Sequence, residues 1–156
     1  MAYRVLLLED DAHAREQLAA RLLARVDVEL VSLGSGFEAL RLLPRQRFDL
    51  VLADVDVPDI DGLELINFIK KSPRYKGTPL LMLCSGADTG RAERGLALGA
   101  TENLERMAVD EIVSRVEFHL QGRTPRPIED SSGERRIPVP DETLVEAAVM
   151  LADRAS

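Results

Sequence analysis

The chain has 156 residues, 46% of them hydrophobic, and a formal net charge of −7. That length and apolar content specify a globular domain with a sizeable core rather than a disordered tract, and the acidic balance argues against broad binding to phosphate backbones, so direct nucleic-acid contact is not expected. Cys84 is the only cysteine, which precludes a disulfide within the chain, and no apolar run reaches signal-peptide or membrane-spanning length; a soluble cytoplasmic protein without membrane contact is expected.

In chain order, short apolar runs alternate with segments of helical spacing. The runs are Val5 to Leu8, Val28 to Leu33, Leu50 to Ala53 and Pro79 to Leu83, with a last short one from Thr101 to Leu104. Each is too short for a packed helix and suits a buried strand. Between them, residues 12–25 place Leu18, Leu22, Leu23 and Val26 on one stripe, and residues 36–43 align Phe37, Leu40 and Leu43. Residues 63–71 align Leu63, Ile66 and Ile69, residues 88–98 carry a weaker apolar face, and residues 109–121 carry Ile112, Val113, Val116 and Leu120. Gly99 is a helix stop. Strands alternating with helices predict an α/β fold, a doubly wound parallel sheet covered on both faces. After residue 121 the texture changes. Residues 122–140 are proline-rich and read as a linker, and residues 141–156 read as one helix with Asp141 as its N-cap. The expected division is therefore a domain over 1–121, a linker over 122–140 and a C-terminal helix over 141–156.

Carboxylates stand where two strands end. The first strand runs into Glu9, Asp10 and Asp11, and the third runs into Asp54 and then Asp56. Ligands of doubly wound sheets bind outside the carboxyl ends of the strands. If these two strands are neighbours, the carboxylates face one crevice, where mutual repulsion raises some of their pKa values. A divalent cation relieves the repulsion, and hard oxygen ligands completed by water suit Mg²⁺.

The stretches "VLLLEDDAHARE", "DLVLADVDVPDIDGLEL", "PLLMLCSG" and "GLALGA" together resemble the receiver domain of two-component response regulators over residues 3 to about 121. The specific part is Asp54 after an apolar strand, followed by Pro58 and Gly62. The resemblance implies a flavodoxin-like five-stranded sheet in the order 2-1-3-4-5 and a signalling rather than enzymatic role. It implies that Asp54 is the phosphoacceptor and that Glu9, Asp10, Asp54 and the Asp56 backbone carbonyl hold Mg²⁺. It further implies a sensor histidine kinase or phosphotransfer protein as donor and a protein target on the face built from residues 88–121.

Four positions depart from that family's pattern. Cys84, followed by Ser85, stands where a Thr or Ser hydroxyl is usual, and Asn103 stands in place of an aromatic residue. Arg106-Met107 replaces a Lys-Pro pair. A thiol is a weak donor, and a guanidinium fork does not fit the slot of an ammonium. Two readings follow: phosphorylation at Asp54 with an unusual conformational route, which the intact acidic site favours, or a pseudo-receiver that binds partners without phosphorylation. A third class, Mg²⁺-dependent nucleic-acid cleavage, shares the Glu plus Asp-x-Asp set but conflicts with the acidic balance and the "VPDIDG" continuation.

Other residues have structural readings. Asp59 and Asp61 serve the turn; Asp11 either caps the first helix or joins the metal set. His13 faces solvent, and Cys84 is buried packing. Arg91 and Arg94 lie on the fourth helix as solvated partner-contact candidates. The C-terminal helix could dock on its own domain, on a partner, or on a second copy in a homodimer.

Overall fold

The computed structural model describes residues 2–84, 89–104 and 107–125. Five strands, β1 (Tyr3–Leu8), β2 (Val28–Leu33), β3 (Leu50–Asp54), β4 (Leu80–Leu83) and β5 (Glu102–Asn103), form one parallel sheet in the order β2-β1-β3-β4-β5. Five helices connect or follow them: α1 (Ala12–Arg25), α2 (Gly36–Leu42), α3 (Gly62–Lys71), α4 (Thr89–Leu98) and α5 (Val109–Leu120). The expected order of the sheet is the one observed.

The alternation along the strands splits the core into two layers, because successive side chains in a strand point to opposite faces. Val5, Leu7, Leu50, Leu52 and Leu81 pack with Leu18 and Leu22 of α1 and with Ile112, Val113, Val116 and Leu120 of α5. Leu6, Leu8, Val51, Ala53, Leu80 and Met82 pack on the other side with Ala39 and Leu42 of α2, Leu65, Ile66 and Ile69 of α3, and Ala92 of α4. Gly99 ends α4 with φ +118°, a backbone conformation that glycine adopts without steric cost.

Several details differ from the sequence reading. Leu23 and Phe37 do not join their helices' buried stripes; they are 56% and 45% exposed. Leu18 and Leu22 already fill the α1 contact, and α2 turns Gly36, Ala39 and Leu42 inward instead. The third strand extends one residue further than its apolar run, because the ladder with β4 continues through Asp54 opposite Leu83. A 3₁₀ turn over Pro73–Tyr75 was not marked by periodicity; it buries Tyr75, whose hydroxyl meets the carbonyls of Leu43, at 2.7 Å, and Gln46.

The end of the sheet opposite the strands' carboxyl ends is pinned by Arg4. Its side chain is 6% exposed and donates to Glu29 Oε2 at 2.9 Å, Gln46 Oε1 at 2.8 Å and the Arg47 carbonyl at 3.1 Å. A buried guanidinium is tolerated because these partners replace its hydration. The helix expected over 141–156 and most of the linker lie outside the described residues.

Candidate functional site

Parallel register brings the acidic residues together. Leu8 of β1 pairs with Ala53 of β3, so Glu9 and Asp54 leave adjacent strands at the same end and level. Oxygen atoms of Glu9, Asp10 and Asp54 all lie within 4.8 Å of one another. Asp54 is 8% exposed, and its Oδ1 accepts a hydrogen bond from the Asp56 backbone N–H at 2.8 Å. Glu9 Oε1 accepts from the Asp11 backbone N–H at 3.1 Å. The Glu9 carbonyl is held from the other side by Arg15 Nη1 at 2.8 Å. Gly34 leaves room for that guanidinium, since a Cβ there would lie 2.6 Å from Arg15 Nη1.

Crowding sets the electrostatics. Burial, with the Asp10 and Glu9 carboxyls alongside, pushes the Asp54 carboxyl up to about 8, against the Asp56 N–H bond that lowers it. Burial also raises Glu9, opposed by its bond to the Asp11 N–H. A cation at the common focus of these oxygens favours the ionised forms and removes the repulsion. Three hard carboxylate donors from two strand ends, open to solvent on the Asp10 side, fit Mg²⁺, which keeps part of its water shell.

The other acidic residues have different roles. Asp11 is the N-cap of α1; its Oδ1 accepts from His13 N at 2.9 Å and Ala14 N at 3.4 Å. Asp61 caps α3 by accepting from Leu63 N at 3.0 Å. Asp59 goes further than a turn residue: it accepts from Ser35 Oγ at 2.6 Å, Gly36 N at 3.1 Å and Phe37 N at 3.0 Å, fastening the loop after β3 to the start of α2.

Cys84 follows β4 and is 3% exposed, within the core layer beneath α2, α3 and α4. Asn103 lies on β5, and its Oδ1 is buried without a hydrogen-bond partner. Ser85 and Arg106 lie outside the described residues. His13 is exposed, as expected. Arg94 is exposed too, whereas Arg91 is not the solvated residue the sequence reading made it. Its side chain is 22% exposed and turns onto the loop after β3, donating to the Val55 carbonyl at 2.9 Å and Asp61 Oδ1 at 3.1 Å, with Nε 3.4 Å from Asp56 Oδ1. No local pattern in the sequence marks these contacts, because the loop residues that it meets lie at least 30 positions away.

Comparison with known proteins gives the family and bears out the fold. The family model described as "Response regulator receiver domain" matches residues 5–117. The response regulator protein FleR of Pseudomonas aeruginosa is 36% identical over 134 residues, which cover 83% of this chain and 27% of FleR, so the chain spans little more than a quarter of that relative. Protein PilG of the same organism is 25% identical over 117 residues, 74% of this chain and 87% of PilG. Among solved structures, the chemotaxis response regulator CheY4 of Vibrio cholerae superposes with a TM-score of 0.69 at 26% identity, covering 77% of this chain and all of that one.

Proposed function

We infer, given that this chain belongs to the response regulator receiver domain family, that it accepts a phosphoryl group on Asp54 and signals through contacts with other proteins. The observation that carries the reading is the convergence of Glu9, Asp10 and Asp54 oxygens within 4.8 Å at the ends of two adjacent strands. In this reading those three carboxylates, with the Asp56 backbone carbonyl, hold Mg²⁺. When bound, the cation neutralises charge on the transferring phosphoryl group and favours the ionised Asp54.

The reaction is an in-line displacement. An Asp54 carboxylate oxygen forms a bond to phosphorus as the bond from phosphorus to the donor's histidine nitrogen breaks. The bonding pair stays on that nitrogen, which takes up a proton. The donor is a sensor histidine kinase or a histidine phosphotransfer protein. The chain's own contribution is positional: the Asp56 N–H orients the Asp54 carboxyl, and burial keeps bulk water from competing.

The face formed by α4, β5 and α5 is the proposed contact for a downstream protein. Leu96, Leu98 and Phe118 are exposed there, at 43%, 37% and 55%. In the sequence, Cys84 stands where the family usually has a hydroxyl and Arg106 where it has a lysine, so in this reading the phosphoryl group is held by different chemistry. The domain over 1–121, the linker and the C-terminal helix remain the proposed organisation. Among the described residues no helix is long and apolar enough to cross a membrane.

Incubation with Mg²⁺ and a small acyl phosphate tests the reading by intact-mass analysis. One added phosphoryl group is expected on the wild type and none on Asp54→Asn. If neither the small donor nor a phosphorylated histidine protein modifies the wild type, the phosphorylation reading is wrong.

A further inference from the structure

We propose that Arg91 is a positioning residue that ties α4 to the loop after β3, so that occupancy of the acidic pocket reaches the α4 surface through its guanidinium. The inference rests on the acceptor reading above. Arg91 contacts three residues of that loop: the Val55 carbonyl at 2.9 Å, Asp61 Oδ1 at 3.1 Å and Asp56 Oδ1 at 3.4 Å. Each is coupled to the pocket or to α3. Val55 directly follows the acceptor, the Asp56 N–H is bonded to Asp54 Oδ1, and Asp61 caps α3. A continuous set of bonded groups therefore runs from Asp54 to the first turn of α4.

The apolar packing of α4 is slight by comparison. Among its described residues only Ala92 and Gly95 are buried, while Leu96 and Leu98 are exposed. Two such small residues remove little apolar area from water, so the polar tie at Arg91 has a large share in setting where α4 sits. The Arg91 side chain is 22% exposed, while its partners Asp56 and Asp61 are 37% and 50% exposed, so these pairs sit at the edge of solvent and hold the helix through their joint geometry rather than through any one ion pair. A phosphoryl group on Asp54 places new acceptor oxygens beside Asp56. A planar five-donor guanidinium pairs well with such oxygens, so its bonds to Asp56 and Asp61 redistribute and α4 follows.

The test uses the full chain with Mg²⁺ and beryllofluoride, the latter standing in for the phosphoryl group, and reads backbone amide chemical shifts. In the wild type, amides near Asp54 and throughout α4 are expected to shift. In Arg91→Gln the changes near Asp54 should persist while those in α4 are largely lost. Arg91→Lys, which keeps the charge but loses the fork, should recover part of the response. A residue with a merely structural role would lower the melting temperature and leave the response of α4 intact. Should Arg91→Gln lose its dispersed spectrum, Asp61→Asn is read in the same way, since asparagine still caps α3. An undiminished α4 response in a variant that still responds near Asp54 overturns this inference alone. Absence of any response near Asp54 in the wild type overturns the acceptor reading and this inference with it.

Discussion

Asp59 and Ser35, which lie 24 positions apart, are joined by a 2.6 Å hydrogen bond between the loop after β3 and the start of α2. The same carboxylate accepts from the Gly36 and Phe37 backbone N–H groups, so two of the orphan donors at the start of α2 are met from another loop. Ser35 itself caps the helix by accepting from Glu38 N.

Asp59→Ala should therefore cost about 1–2 kcal/mol, in the range for loss of a helix cap, measured by urea denaturation. Burial pushes the Asp59 carboxyl up, but these bonds together outweigh it and hold the group below the ordinary carboxylate range. The sign follows: its stabilisation is complete above the unfolded-state pKa and disappears as pH falls through the lower folded value. Wild type and Asp59→Ala should converge in stability under strongly acidic conditions. A gap that stays constant at low pH would contradict this role.

Asp54 works in the opposite direction. Its carboxyl is raised to about 8 in the metal-free protein, so folding is progressively penalised as pH climbs from the ordinary carboxylate range towards 8. Without divalent cations, Asp54→Asn should be more stable than the wild type at neutral pH, by on the order of 2 kcal/mol. Saturating Mg²⁺ should stabilise the wild type and narrow or reverse that difference. Thermal melts of both proteins with and without Mg²⁺ check this, and a metal-free Asp54→Asn that melts below the wild type would refute it.

Arg4 separates stability from site chemistry. Arg4→Met leaves Gln46 and Glu29 without their guanidinium partner. It should lose about 2–4 kcal/mol, close to the cost of breaking a buried pair and tempered by the part-exposed Glu29. Because Arg4 sits at the far end of the sheet, the Mg²⁺ affinity of the folded variant should equal that of the wild type by calorimetric titration. A change in affinity would mean that the two ends of the sheet are coupled.

Two glycines make a paired comparison. At Gly62 a Cβ would lie 2.2 Å from the Val55 carbonyl oxygen and 2.5 Å from its Cα, both backbone atoms. At Gly95 it would lie 2.6 Å from Met82 Sδ, part of an adaptable side chain. Gly62→Ala should therefore cost about 1–3 kcal/mol, as overpacking does, and weaken Mg²⁺ binding by shifting the residue after Asp54. Gly95→Ala should cost less and leave Mg²⁺ binding unchanged. Chemical denaturation and Mg²⁺ titration of the two variants decide between this order and its reverse.

The sequence alone determined the alternation of strands and helices, the placement of Glu9, Asp10 and Asp54 directly after two apolar runs, and the stop at Gly99. These features have short-range signatures: short continuous apolar runs, an apolar period of 3.6 residues, turn residues, and carboxylates set directly after the runs. Only the tertiary structure decided that Arg91 turns inward, that Asp59 serves α2, that Arg4 is buried, and that Leu23 and Phe37 face water. Hydrogen bonds and ion pairs between groups distant in sequence leave no period to read. Where a helix offers more apolar positions than its sheet can cover, three-dimensional packing selects among them.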